Sequence, residues 1–248
     1  MSEARTDSSE QLARERRYAP YAAAAAAAGA IATVAAIAAV ASAGIGRSTA
    51  DRARLLDYDG ARAELLVSTF FQVLAVAGTV AALVYLLVAA ARRVPGVPRW
   101  TPVLVLVAGL LLAVGTAWRQ LDILGIAHDF TTGTPTRGAA GERRADDLVR
   151  GLPTLPLALA FVGTLLIAAS IVFANVVAMR AGLVSRFLGI VGIIVGALHV
   201  LPLAGGPQIL QVFWLGALAL LFLDRWPGGR GPAWSSGQAE PWPVPQRR

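Results

Sequence analysis

The sequence predicts an all-α protein, a polytopic bundle of transmembrane helices with six spans. Three observations predict it. Hydrophobic residues make up 56% of the 248 and charged residues only 15%, and the apolar residues run on without the breaks of an amphipathic surface helix. Several of these runs have the roughly 20 residues that a hydrocarbon core of about 30 Å demands of a helix. The arginines lie between and outside the runs, where membrane chains keep their basic residues.

Residues 1–19 are polar, with Arg5, Arg14, Arg16 and Arg17 balanced by Glu3, Asp7, Glu10 and Glu15, and read as a tail outside the bilayer. The first span, residues 20–45, is rich in alanine and ends at Ala41, Ser42, Ala43 and Gly44. That ending resembles a signal-peptidase site, but the apolar run exceeds the roughly 7–15 residues of a signal-peptide core. Spans two to four, residues 65–91, 102–118 and 153–179, contain no Asp, Glu, Arg or His.

The last apolar block is divided by Pro202, Gly205, Gly206 and Pro207, a cluster that reads as a turn. Its arms, residues 187–201 and 209–223, have fifteen residues each, or about 22 Å of helix. They are expected as spans five and six, with a re-entrant hairpin as the alternative. Either version leaves both chain ends on one side. Residues 224–248 form a second tail, rich in Pro, Gly and Trp and not expected to fold alone. Trp226, Trp234 and Trp242 are expected at headgroup level, where indole rings are favoured, with partner recognition as the alternative.

Charge sets the orientation. With the N-terminus inside, the inner segments are 1–19, 92–101, 180–186 and the C-terminal tail; they carry 13 Arg against 6 acids, and the outer segments 9 against 9. The whole net charge of +7 thus falls inside, and the short acid-free segments holding Arg92, Arg93 and Arg99 or Arg180 and Arg186 are the strongest markers. Both tails are therefore expected in the cytoplasm. The outer connections, Gly46–Glu64 and the stretch after Trp118 up to Arg150, are charge-balanced and read as solvated surface that holds at most a short helix.

Composition also excludes function classes. The chain has no cysteine, which removes disulfides, thiolate metal sites and cysteine nucleophiles. Its two histidines, His128 and His199, have no HExxH spacing, and no glycine-rich phosphate loop or GxSxG elbow occurs. No catalytic residue, metal or cofactor is expected, and His128, placed in a loop, does not suit haem ligation. All 22 basic residues are arginine and they are scattered rather than gathered in a patch, so nucleic acid is not an expected partner.

The candidate ligand site is a polar cluster at the outer helix ends. Glu64, Ser68 and Gln72 share an i, i+4 face at the start of the second span. Arg119 and Asp122 stand at i, i+3 just beyond the third; His199 ends the fifth, and Gln208 and Gln211 open the sixth. His128 and Asp129 are placed in the adjoining loop. Ionisable groups at membrane depth are candidates for function, and these could receive a small polar ligand. Inside the bilayer, Thr164 and Asn175 share a stripe of the fourth span and are expected to bond to neighbouring helices, with the lining of a pathway as the alternative. Gly192 and Gly196 form a GxxxG face suited to close helix packing, within the chain, with a partner protein or in a homo-oligomer.

Three functions are carried forward. The first is a non-enzymatic integral membrane component or subunit; the second, a small-solute transporter or channel entered through the outer vestibule; the third, a ligand-binding membrane sensor or enzyme. Paired inverted repeats would favour transport, but no internal repeat is visible and the loop lengths of the two halves differ.

The segments AMRAGLVSRFLGIVG and LPLAGGPQILQVFWLGALALLFLDRWPGGRGPAW, through to EPWP, cover residues 178–243. They resemble uncharacterised multi-pass membrane proteins of high-GC Gram-positive bacteria, in which a stretch like Arg225–Trp234 follows the last span. The resemblance implies a bacterial cytoplasmic membrane with the lipid bilayer as the protein's surroundings, and no particular activity.

Overall fold

The computed structural model describes residues 2–46, 50–201 and 206–242, with side chains from residue 9 onward and, in the last long helix, from Gln208. All regular structure among them is helical: α1 (Ser2–Ser42), α2 (Asp51–Gly60), α3 (Arg62–Ala91), α4 (Thr101–Thr132), α5 (Gly138–Arg150), α6 (Thr154–Ala181), α7 (Arg186–Val200), α8 (Gly206–Phe222) and α9 (Ala233–Ser236). Four helices are long and apolar enough to cross a membrane: Ser9–Ser42 within α1, and α3, α4 and α6, of 34, 30, 32 and 28 residues. At about 1.5 Å per residue each exceeds 40 Å. The 15 residues of α7 and 17 of α8 rise only about 22 and 26 Å.

Several boundaries depart from the sequence-based expectation. The tail before Pro20 is helical and continuous with the first span. Pro20 cannot donate to the carbonyl four residues back, but Glu15, Ala19, Ala22, Ala23, Ala26 and Ala30 form one buried stripe on both sides of it. Packing along that stripe carries the helix through. The helix of the third span does not stop at Trp118: α4 continues to Thr132, so His128 and Asp129 are helical rather than in a loop. The cause is Leu124, Ala127 and Phe130, buried at helical spacing beyond the first charges. Of the expected turn, residues 202–205 lie outside the described residues, as does Arg47, while Gly206 and Pro207 belong to the first turn of α8.

The chain divides into two compact units, and the four long helices run through both. Unit 1 comprises residues 1–31, 75–109 and 164–248. Its core holds Leu83, Leu86, Leu87, Ile171, Leu188, Trp214, Leu218 and Phe222. Apolar burial alone does not hold helices together in lipid, so close backbone approach and interhelical hydrogen bonds matter. Both are present. A Cβ on Gly78 of α3 would stand 2.6 Å from the Cα of Gly29 of α1. Gly192 and Gly196 of α7 press on α6, the first against Asn175 and the second 2.8 Å from the Ala168 carbonyl as measured from an added Cβ; the face is occupied within the chain. Asn175 donates to the Ile171 carbonyl at 2.8 Å and accepts from Trp214 Nε1 of α8 at 3.3 Å.

Unit 2 comprises residues 32–74 and 110–163. Ser68 Oγ of α3 donates to the Ala36 carbonyl of α1 at 3.2 Å. Gly115 on α4 faces the backbone of Ala160 on α6, and Gly163 faces Leu112. The charge-balanced connections fold into α2 and α5, which pack together. Leu55, Ala127, Phe130 and Ala145 form their common core, bordered by Tyr58, Ile126, Leu148 and Val149.

Candidate functional site

The expected outer cluster is divided between the units. In unit 2, Glu64 is half-buried in the first turn of α3, and Gln72 is exposed and donates to Ser68 Oγ at 3.1 Å. Arg119 is exposed and Asp122 half-buried. They form no ion pair, and Asp122 Oδ2 is buried with no hydrogen-bond partner among the described residues. In unit 1, His199 Nδ1 donates to the Val195 carbonyl at 2.8 Å, and Gln208 Oε1 is buried without a hydrogen-bond partner among the described residues. Gln211 Nε2 donates to Thr79 Oγ1 at 3.2 Å. Thr79 is twelve residues from the end of α3 at Ala91, about 18 Å along the helix, so Gln211 meets α3 near the middle of that helix. Among the described residues the one side-chain hydrogen bond between members of the expected cluster is that of Gln72 to Ser68.

A different polar group forms at the end of α4. Asp59 Oδ2 accepts from Thr131 Oγ1 at 2.7 Å, and its Oδ1 lies 3.4 Å from His128 Nδ1. Arg144 donates to the carbonyls of Asp129 at 2.7 Å and Phe130 at 3.1 Å, and so caps the C-terminus of α4 with a cation, where the helix dipole favours one. Arg52 Nε reaches the Thr136 carbonyl at 2.8 Å. These bonds tie α2, α4 and α5 together; no group of three or more potential metal ligands occurs among the described residues.

The most completely built polar site is in unit 1, and sequence reasoning missed it. Arg93 Nη1 and Nη2 each donate to one carboxylate oxygen of Glu15 at 2.6 Å. Nη1 also donates to the Ala89 carbonyl at 2.7 Å, while Nη2 and Nε converge on the Ala233 carbonyl at 3.0 and 3.2 Å. All five guanidinium N–H donors are thereby used. The Arg93 and Glu15 side chains are 0% and 8% exposed. An ion pair so buried loses much hydration, and bidentate geometry with every donor satisfied offsets that loss.

Around the pair, aromatic side chains hold the C-terminal segment. Tyr85 donates its hydroxyl to the Glu15 carbonyl at 3.0 Å. Trp234 stacks on Tyr85 with ring centroids 5.7 Å apart, and its Nε1 donates to the Leu183 carbonyl at 2.9 Å. The guanidinium carbons of Arg93 and Arg230 lie 5.6 and 5.1 Å from the Trp234 ring centre, within cation–π range. Arg230 donates to the carbonyls of Leu221, at 3.1 Å, and Phe222 at the end of α8. Farther on, the Glu240 backbone N–H donates to the Ala181 carbonyl at 3.3 Å. Trp234, expected at headgroup level, is therefore buried in the core of unit 1. The tail folds because α3 and the segment after α6 supply the apolar surface and carbonyl acceptors that it lacks alone.

One signal in the sequence points to this pair. Glu15 is the single acid on the small-residue stripe of α1, visible only when the helix is read back through Pro20. Beside the pair, a groove of about 890 Å³ runs between α1, α3 and α4. A polar chamber of about 530 Å³ shares Arg14, Val88 and Arg92 with it.

Comparison of the chain with protein-family profiles, with curated proteins and with solved structures finds no match.

Proposed function

We propose that the chain is an integral protein of a bacterial cytoplasmic membrane, a non-enzymatic component or subunit, with six membrane-embedded helices and both ends in the cytoplasm. One observation carries this reading. Glu15, Arg93, Leu183 and Ala233–Trp234, one from each of the four segments that charge counting places inside, converge on one buried cluster. Segments that meet are separated by an even number of crossings. The pairs α1 with α3, α4 with α6, and α7 with α8 meet that condition. The short arms of α7 and α8, and the Gln211 to Thr79 bond near the middle of α3, favour a hairpin entering from the cytoplasmic side for the last pair.

A structural role follows from how the polar groups in the helices are used. Ser68, Thr79, Asn175, Gln211 and Trp214 each bond to another helix or to the backbone, which spends them on assembly. Proteoliposomes that contain only this chain should then show no solute flux above empty liposomes, while purification from native membranes should return a stoichiometric protein partner. Sustained flux of one solute would replace this reading with that of a transporter.

The partnerless Asp122 Oδ2 favours a second reading, a ligand-binding protein that receives a small polar molecule at α4. Thermal stabilisation by such a ligand should then vanish in Asp122→Asn; an unchanged shift removes Asp122 from the site.

A further inference from the structure

The groove of unit 1 has an apolar floor and a basic end. Ala77, Ala81, Val84 and Val88 of α3 recur at helical spacing along the floor, with Tyr18, Tyr21 and Ala22 of α1 on one side and Leu106 of α4 on the other. From Ala77 to Arg92 the floor climbs about 22 Å, longer than the roughly 15 Å of hydrocarbon in one leaflet. At its basic end the groove shares Arg14, Val88 and Arg92 with the polar chamber, whose lining includes Arg14, Arg92 and Arg99 against a single acid, Glu10.

These three arginines are exposed, and their side chains make no ion pair or hydrogen bond among the described residues. Arg93, next to Arg92, is fully engaged with Glu15; the neighbouring pocket therefore offers positive charge that no ion pair among the described residues neutralises. Arg92 directly follows the last residue of α3, the level at which a lipid headgroup meets a span. Tyr18 and Tyr21, 55% and 71% exposed, lie at the same end, where aromatic rings with a polar tip are favoured.

We propose that this groove and chamber form one binding site for an anionic phospholipid, its phosphodiester headgroup held by Arg14, Arg92 and Arg99 and an acyl chain laid along Ala81, Val84 and Val88. Basic pockets between membrane helices suit acidic headgroups, and the apolar floor distinguishes a lipid from a free anion. The site rests on the membrane reading proposed above but not on the orientation, which decides only which leaflet supplies the lipid.

The test uses the full chain, first shown to stay in membranes through an alkaline wash; release into the wash would sink the membrane reading itself. Detergent-purified protein is then titrated with dioleoyl phosphatidylglycerol or dioleoyl phosphatidylcholine and bound lipid is counted by native mass spectrometry. One phosphatidylglycerol should be retained in preference to phosphatidylcholine, and inorganic phosphate should not displace it. Replacing Arg14, Arg92 and Arg99 with Gln should weaken retention by roughly fivefold per arginine, the effect of one basic side chain at an anionic surface. Ala81→Trp should block retention with the arginines intact. Equal retention of the two lipids, wild-type retention by the triple variant, displacement by phosphate, or a second copy of the chain in place of lipid would each overturn the proposal.

Discussion

Arg93 and Glu15, 78 residues apart in the chain, meet through two hydrogen bonds of 2.6 Å, and the same guanidinium holds the carbonyl of Ala233, 140 residues farther on. One side chain thus ties the first helix, the end of α3 and the C-terminal segment.

Removing either partner strands the other without its counter-charge. Glu15→Gln and Arg93→Gln should each lower stability by about 3–5 kcal/mol, the range for breaking a buried pair. Glu15→Leu combined with Arg93→Met should cost less than the sum of the single changes. Thermal unfolding of the purified full-length chain checks this; additive losses would mean that the pair contributes no coupling.

Trp234 fills a site between Tyr85 and Phe222. Trp234→Ala should cost about 3–5 kcal/mol locally and free the tail, read as rapid tryptic cleavage after Arg230, a bond protected in the wild type. Gly182→Ala should produce the same cleavage by another route. Gly182 has φ +74°, where a side chain is strained, and an added Cβ would overlap the Glu240 carbonyl. A tail still protected in both variants would contradict the docking.

The contact of α1 with α3 predicts unequal glycines. At Gly78 an added methyl has no room beside Gly29, whereas at Gly216 nothing lies within 4 Å. Gly78→Ala should destabilise by about 1–3 kcal/mol, and Gly216→Ala should be neutral or stabilise by up to about 1 kcal/mol. The same unfolding measurement ranks them.

The α7–α8 pair makes a topological prediction. Leu201 directly follows α7 and is exposed in the fold. If the hairpin enters from the cytoplasmic side and turns back at mid-depth, Leu201→Cys in the otherwise cysteine-free chain should resist membrane-impermeant maleimide from outside. Labelling from outside would make both arms full spans.

The helical class and the long runs were legible because apolar length is a local property. Leu65–Ala91 and Pro153–Met179 were read to within three residues of the start and two of the end. The helix that holds the third span runs on beyond the expected end at Trp118, because the buried Leu124, Ala127 and Phe130 continue it past the charges at which the reading stopped. The candidate site residues were chosen by their expected depth, which does not show which side chains touch. Asp59 with His128, and Glu15 with Arg93, pair across 69 and 78 residues, and a single sequence carries no local signal for such distances. Arg93 was read as a topology marker; the structure shows it also as the most fully bonded cation in unit 1.

The central claim, that the segments meeting around Glu15, Arg93 and Trp234 lie together on the cytoplasmic side, is tested most directly by three single cysteines in the natural cysteine-free chain. Pro95, Ala140 and Ser236 are exposed and their side chains take no part in the buried pair. In intact cells an impermeant maleimide should label Ala140→Cys alone, and Pro95→Cys and Ser236→Cys should react only after permeabilisation. Labelling of Pro95→Cys or Ser236→Cys in intact cells, with Ala140→Cys protected, would contradict the account.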